Sequence, residues 1–122
     1  IYKDLRKLGE CKRTIGSGSS DEPGDILFKH FAIECKHLKQ VRWVQLTKFW
    51  NKLNKQCEKF IHIQLAGQYN PIIIFRQNRE PIMVMCRMNY QNKVVRGIIS
   101  YNVWKQIIKK LKFIWKMMVH IQ

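Results

Sequence analysis

Between Pro23 and Lys36 the chain carries two short apolar runs, Gly24-Asp25-Ile26-Leu27-Phe28 and Phe31-Ala32-Ile33-Glu34-Cys35-Lys36, separated only by Lys29 and His30. A two-residue connection leaves room for a tight turn and little else, so the runs are expected to pair as the antiparallel strands of a hairpin. Successive side chains of a strand leave on opposite faces. Glu34 and Lys36 therefore share one face, while Ile33 and Cys35 take the other. The pairing also brings Asp25 beside Glu34 at one end of the sheet. Two carboxylates converging with a lysine can hold a divalent metal. Charged residues on the wet face of an alternating strand are equally ordinary, and commonly only solvated. Spacing alone leaves both readings open.

A chain of 122 residues suits one domain with one core, and 46% hydrophobic residues are ample to build it. Lys and Arg number 23 against 8 Asp and Glu, a formal charge of +15. Such a field attracts polyanions, and nucleic acid leads because neutralising phosphates releases counterions. A membrane surface is the competing partner of a basic chain, yet no apolar run approaches the roughly 20 residues that span a bilayer. Cys11, Cys35, Cys57 and Cys86 lie far apart with no CxxC pair, and His30, His37, His62 and His120 form no ligand spacing with them. They read as reduced core thiols of a cytoplasmic protein, not as a disulfide or zinc framework.

Along the chain, Ile1, Leu5 and Leu8 fall at helical spacing up to Gly9, as the last turns of an amphipathic helix. The chain opens on Ile1, and this helix is expected to extend upstream of it. Cys11–Ile15 is short enough for a first strand, and Gly16–Glu22 has the glycines, serines and acids of a loop. Val41–Lys59 reads as one long helix, with Val41, Val44, Leu46, Phe49, Trp50 and Leu53 inward and Lys48, Lys52, Lys55 and Lys59 outward. Ile61–Leu65 reads as a short extra strand or a helix extension, the alternation of Ile61, Ile63 and Leu65 favouring the strand, and Gly67–Pro71 breaks the pattern. Ile72–Phe75 is continuously apolar, as in a strand covered on both faces. A turn over Arg76–Pro81 leads into a strand at Ile82–Cys86. Met88–Arg96 reads either as a loop or as an edge strand ending at Gly97. Ser100 or Asn102 can cap a final amphipathic helix over 103–118, whose apolar stripe includes Trp104, Ile107 and Ile108, with Lys105, Lys109 and Lys110 outside. That order predicts a single α/β domain over residues 1–122, with helices flanking a mixed central sheet.

The Gly-Asp of Pro23-Gly24-Asp25 and the Glu-x-Lys of Glu34-Cys35-Lys36, preceded by Arg13-Thr14-Ile15-Gly16-Ser17-Gly18, resemble the PD-(D/E)XK nuclease superfamily. Within it, the small archaeal-type and phage Holliday junction resolvases are the most similar, over roughly Arg13 to Met85. The resemblance implies a restriction-endonuclease-like core and a metal-dependent DNA endonuclease using Mg2+, with Mn2+ substituting. It implies branched DNA as substrate and a homodimer as the working unit, since a resolvase cuts two strands symmetrically. By the same resemblance Asp25, Glu34 and the main-chain carbonyl of Cys35 are metal ligands, and Lys36 serves the attacking water. Ser17 and Ser19 are phosphate contacts, and Gln45 is a polar residue approaching the catalytic face. An acid from the opening helix is expected upstream of Ile1, with Glu10 as a visible stand-in. Arg13, Lys39, Arg76 and Arg79 are the candidate DNA-contacting cations. A homing or restriction-type endonuclease on the same core, and a non-catalytic basic nucleic-acid-binding module, are the alternatives.

Overall fold

The hairpin organises the sheet. Strands β2 (Ile26–Phe28) and β3 (Phe31–Leu38) run antiparallel, Ile26 opposite Ile33 and Phe28 opposite Phe31, with Lys29 at φ 53° in the turn. The computed structural model describes residues 1–14, 23–59, 61–62 and 67–110. The loop expected over Gly16–Glu22, with Ser17 and Ser19, lies outside the described residues, as does the last helix beyond residue 110.

Strand β1 (Cys11–Arg13) pairs with the outer edge of β2. On the other side β6 (Asn70–Gln77) lies parallel to β3, from Phe31 opposite Asn70 to Leu38 opposite Gln77. Strands β7 (Met83–Tyr90) and β8 (Lys93–Ser100) follow antiparallel, completing a mixed six-stranded sheet of order β1-β2-β3-β6-β7-β8. Parallel neighbours need a crossover, and helix α2 (Trp43–Lys59) supplies it. A small pair, β4 (Ile61–His62) with β5 (Gly67–Gln68), lies on the return path.

Alternation along β3 and β6 splits the core into two layers. Ile33, Ile72 and Ile74 join Leu5, Phe28, Trp104 and Ile108 beneath α1 (Tyr2–Leu8) and α3 (residues 101–110). Ala32, Ile73 and Phe75 join Leu46, Trp50, Leu53 and Cys57 of α2 on the opposite face. The uninterrupted apolar run of β6 is thus explained by cover on both sides. The two helices of the first layer are fastened by Asp4, which accepts from Lys105 Nζ at 3.3 Å and Tyr101 Oη at 3.4 Å. The Lys105 contact comes first in holding the Asp4 carboxyl below its ordinary range.

Four expectations need correction. Val44 is 68% exposed, because the buried stripe of α2 runs through Leu46, Trp50, Leu53 and Cys57, one helical position away. Gly67–Pro71 does not break the pattern: β5 and the start of β6 fall inside it, their backbone paired with β4 and β3. Met88–Arg96 is a hairpin, not a loop. Gln91 and Asn92 turn it with φ 48° and 64°, a conformation that matches strand twist, and β8 continues past Gly97 to Ser100. Lys105 faces α1 instead of solvent alone, drawn there by Asp4. Ser100 does cap α3, its Oγ accepting from Val103 N–H at 3.2 Å.

Candidate active site

Just before β2 begins, the chain bends sharply. Gly24 sits at φ 73°, its N–H donating to Gln56 Oε1 at 3.3 Å and its carbonyl accepting from Thr14 Oγ1 at 2.6 Å. Asp25 N–H donates to the Ile33 carbonyl at 2.8 Å, and the Asp25 carbonyl accepts from Thr14 N–H at 3.0 Å. A bent strand stops supplying backbone partners to its neighbour, so the next outward N–H of β3 needs another acceptor. The Asp25 side chain provides it: Oδ2 accepts from Cys35 N–H at 2.9 Å. One hydrogen bond thereby holds the acid against the Glu34-Cys35-Lys36 segment.

Glu34 and Lys36 project on the α2 side of β3, in the same row as Ala32. Lys36 Nζ lies 3.3 Å from Glu34 Oε1 and 4.7 Å from the centre of the Phe49 ring. Burial pushes the Glu34 carboxyl above its ordinary value, and the neighbouring Asp25 carboxylate pushes the same way. Lys36 and Lys52 pull against both without winning. Cys35 faces the opposite layer, where burial pushes its thiol up to about 12. A thiol held neutral is a packing group and a poor metal donor. Its backbone is different, because the N–H and C=O of one strand residue leave the same edge. The Cys35 carbonyl thus faces the edge its N–H shares with Asp25.

A cavity of about 260 Å³ opens over this face, with Glu34 and Lys36 on the sheet side and Lys48, Phe49, Lys52, Leu53 and Gln56 on the α2 side. Among the described residues no group of three His, Cys, Asp or Glu side chains could hold a metal. Glu34 is the acid that lines the cavity, while Asp25, bonded to Cys35 N–H and close enough to raise the Glu34 carboxyl, adds a second carboxylate beside the Cys35 carbonyl at the neighbouring strand edge. Magnesium keeps much of its water and is commonly held by one or two carboxylates, so this hard-oxygen set fits it.

Asp25, Glu34, Cys35 and Lys36 are therefore brought together. Other expected site residues are elsewhere. Arg13 lies with its guanidinium 4.5 Å from the Tyr2 ring centre, over α1. Arg76 Nε donates to the Glu80 carbonyl at 3.2 Å, closing its own turn, and Arg79 stands in that turn at φ 64°. Glu10 is exposed between α1 and β1 and does not line the cavity. Lys39 and Gln45 line a neighbouring cavity, which shares Lys48 and Phe49 with the first. The glutamine that reaches the acidic bend is Gln56, overlooked in the sequence along with Lys48 and Lys52. Their spacing of four, at 48, 52 and 56, marks one helical face and was the available signal.

Since Glu34 is costlier to ionise in the fold than in the unfolded chain, metal-free protein is destabilised as pH rises through the raised folded value. Glu34→Gln should therefore raise the Tm of metal-free protein at neutral pH. The gain should vanish below the ordinary glutamate value of about 4.3, where both chains carry a neutral side chain. Thermal melts in chelator at several pH values check this, and a lowered Tm at pH 7 would contradict it.

Comparison with protein families matches residues 3–119 to the family described as "Phage putative PDDEXK endonuclease". Comparison with curated proteins finds no significant match. Among solved structures, the chain is similar to Hjc, a Holliday junction resolvase from Archaeoglobus fulgidus. The two are 16% identical, with 85% of this chain and 84% of that one covered and a TM-score of 0.41. The family match runs through both strands of the acidic hairpin and nearly the whole sequence, and on that ground the chain belongs to the phage PDDEXK endonuclease family.

Proposed function

We propose that the protein is a metal-dependent DNA endonuclease that hydrolyses phosphodiester bonds in four-way junctions as a homodimer in the cytoplasm of its host cell. The observation that carries this reading is the Asp25 Oδ2 to Cys35 N–H contact of 2.9 Å, which holds one carboxylate against the strand whose Glu34 and Lys36 line a cavity. Asp25 and Glu34, with the Cys35 carbonyl, hold a magnesium ion, for which manganese substitutes. When bound, that ion supplies Lewis-acid stabilisation of the charge at phosphorus. Lys36, held between Glu34 and the Phe49 ring, orients the attacking water and offsets negative charge on the phosphate. Gln56 keeps the Gly24 bend, and hence Asp25, in place.

A charge of +15 supports backbone contacts more than base reading, which suits recognition of DNA shape. Two active sites on a two-fold axis are what paired, symmetric cuts require. The test is cleavage of labelled four-way junction, flap and linear duplex with magnesium and with chelator. Paired symmetric cuts in the junction, abolished by chelator, are expected. Cleavage of linear duplex at one sequence would replace this reading with a restriction-type one, and junction binding without cleavage in magnesium or manganese with a non-catalytic one.

A further inference from the structure

Trp43 opens α2 yet is 54% exposed, against 6% for Trp50 and 3% for Trp104. Large exposed aromatics are costly to leave in water, and this one is also held in place. Arg96 reaches over from β8, its guanidinium carbon 5.0 Å from the Trp43 ring centre and 5.7 Å from that of Trp50. Arg96 Nη2 also donates to Thr47 Oγ1 at 3.4 Å, which ties the guanidinium to α2. The indole is thus braced by a cation while about half of its surface stays open to solvent.

The cavity that Trp43 lines, of about 940 Å³, adjoins the active-site cavity, Lys48 and Phe49 lining both. Its charged lining residues are Lys39, Arg42 and Lys48, all cationic. Among the described residues, Glu34 is the single acid lining either space. A basic trough with an aromatic at its far end complements a strand of nucleic acid, the backbone on the cations and a base on the ring. Trp43 and Phe49 stand six positions apart in α2, an axial rise of about 9 Å at 1.5 Å per residue, or fewer than three nucleotide rises of about 3.4 Å. A base on Trp43 is therefore within a few nucleotides of a phosphate beside Lys36.

Bases inside an intact duplex are already stacked on both faces, so an indole can take up only one that is unpaired or splayed from its partner. We propose that Trp43 is a stacking platform for an unpaired nucleobase of the DNA strand whose phosphate enters the Glu34–Lys36 cavity. This rests on the nuclease reading above, and deepens it by giving the enzyme a preference for DNA with unpaired nucleotides near the cut.

The test is binding of the full chain, in chelator, to a labelled duplex and to the same duplex interrupted by a short single-stranded gap. Wild-type protein is expected to bind the gapped DNA more tightly. Stacking of one base contributes about 1–3 kcal/mol, so Trp43→Ala should lower the gapped-over-duplex preference by about 5- to 150-fold, and Trp43→Phe should restore most of it. An unchanged preference in Trp43→Ala overturns the proposal, as does an equal loss on both DNAs. A changed oligomeric state with the preference intact also overturns it, by assigning Trp43 to a contact between copies of the chain. Because binding is read in chelator, a wild-type protein that cleaves no DNA in magnesium would sink the nuclease reading without altering this measurement.

Discussion

Asp25→Asn is expected to reduce metal-dependent cleavage by about 10³-fold or more, the several kcal/mol a catalytic metal supplies at about 1.4 kcal/mol per decade. The fold should survive. The Asn carboxamide oxygen can still accept the Cys35 N–H that Asp25 Oδ2 now accepts at 2.9 Å, so the bend keeps its anchor while the negative charge is lost. Removing that charge also relieves Glu34, whose carboxyl Asp25 helps to hold above its ordinary value. The variant should accordingly melt no earlier than wild type. Lys36→Ala makes the complementary case. It removes the cation 3.3 Å from Glu34 and leaves both carboxylates in place, so magnesium binding should persist while the rate falls by about 10²–10⁴-fold. Calorimetric titration with magnesium separates the two, one variant losing affinity and the other losing turnover. Cleavage within tenfold of wild type by either would remove that residue from the mechanism.

The acidic hairpin was legible because its information is local: a two-residue turn and strict alternation fix which residues share a face, and β3 obeys both. The layer assignment of Ile33 and Cys35 against Glu34 and Lys36 follows from the same period. Phase errors arose where the pattern is degenerate. In α2, Val44 is as apolar as Leu46, and only packing against Ile73 and Phe75 decides which of them turns inward. The Met88–Arg96 segment escaped a firm assignment because an edge strand facing water needs no apolar run, and its Gln91-Asn92 turn is polar like any loop. The role of Gln56 was out of reach for another reason. Its partner is the Gly24 N–H, 32 residues away, and a contact of that span depends on how α2 crosses the sheet. The cation that braces Trp43, Arg96, comes from β8 and is likewise visible only in three dimensions.

Gly24→Ala is expected to destabilise the protein by about 3 kcal/mol, combining the roughly 1–2 kcal/mol of a left-handed backbone with a steric overlap. Gly24 lies at φ 73°, and a methyl group there would stand 2.8 Å from the Ile33 carbonyl oxygen and 3.1 Å from its carbon. Neither atom can retreat cheaply. Ile33 is fully buried in the middle of the hairpin, and its carbonyl accepts the Asp25 N–H. Gly9→Ala supplies the contrast: its methyl would meet Lys29 Cε at 2.9 Å, the far end of a side chain that can swing aside, and its φ of 161° is extended backbone open to any residue. For a domain of this size the Gly24 variant should melt on the order of 10 °C lower, at several degrees per kcal/mol, and the Gly9 variant close to wild type. Activity should fall further than stability requires. Relief of the overlap moves Asp25 away from Ile33, and with it the carboxylate that reaches Cys35. Cleavage measured well below the lowered Tm should therefore remain depressed, with weakened magnesium affinity as in Asp25→Asn. A Gly24→Ala protein that melts early yet cleaves at the wild-type rate in the cold would show that the bend serves only the fold, and that Asp25 finds its position without it.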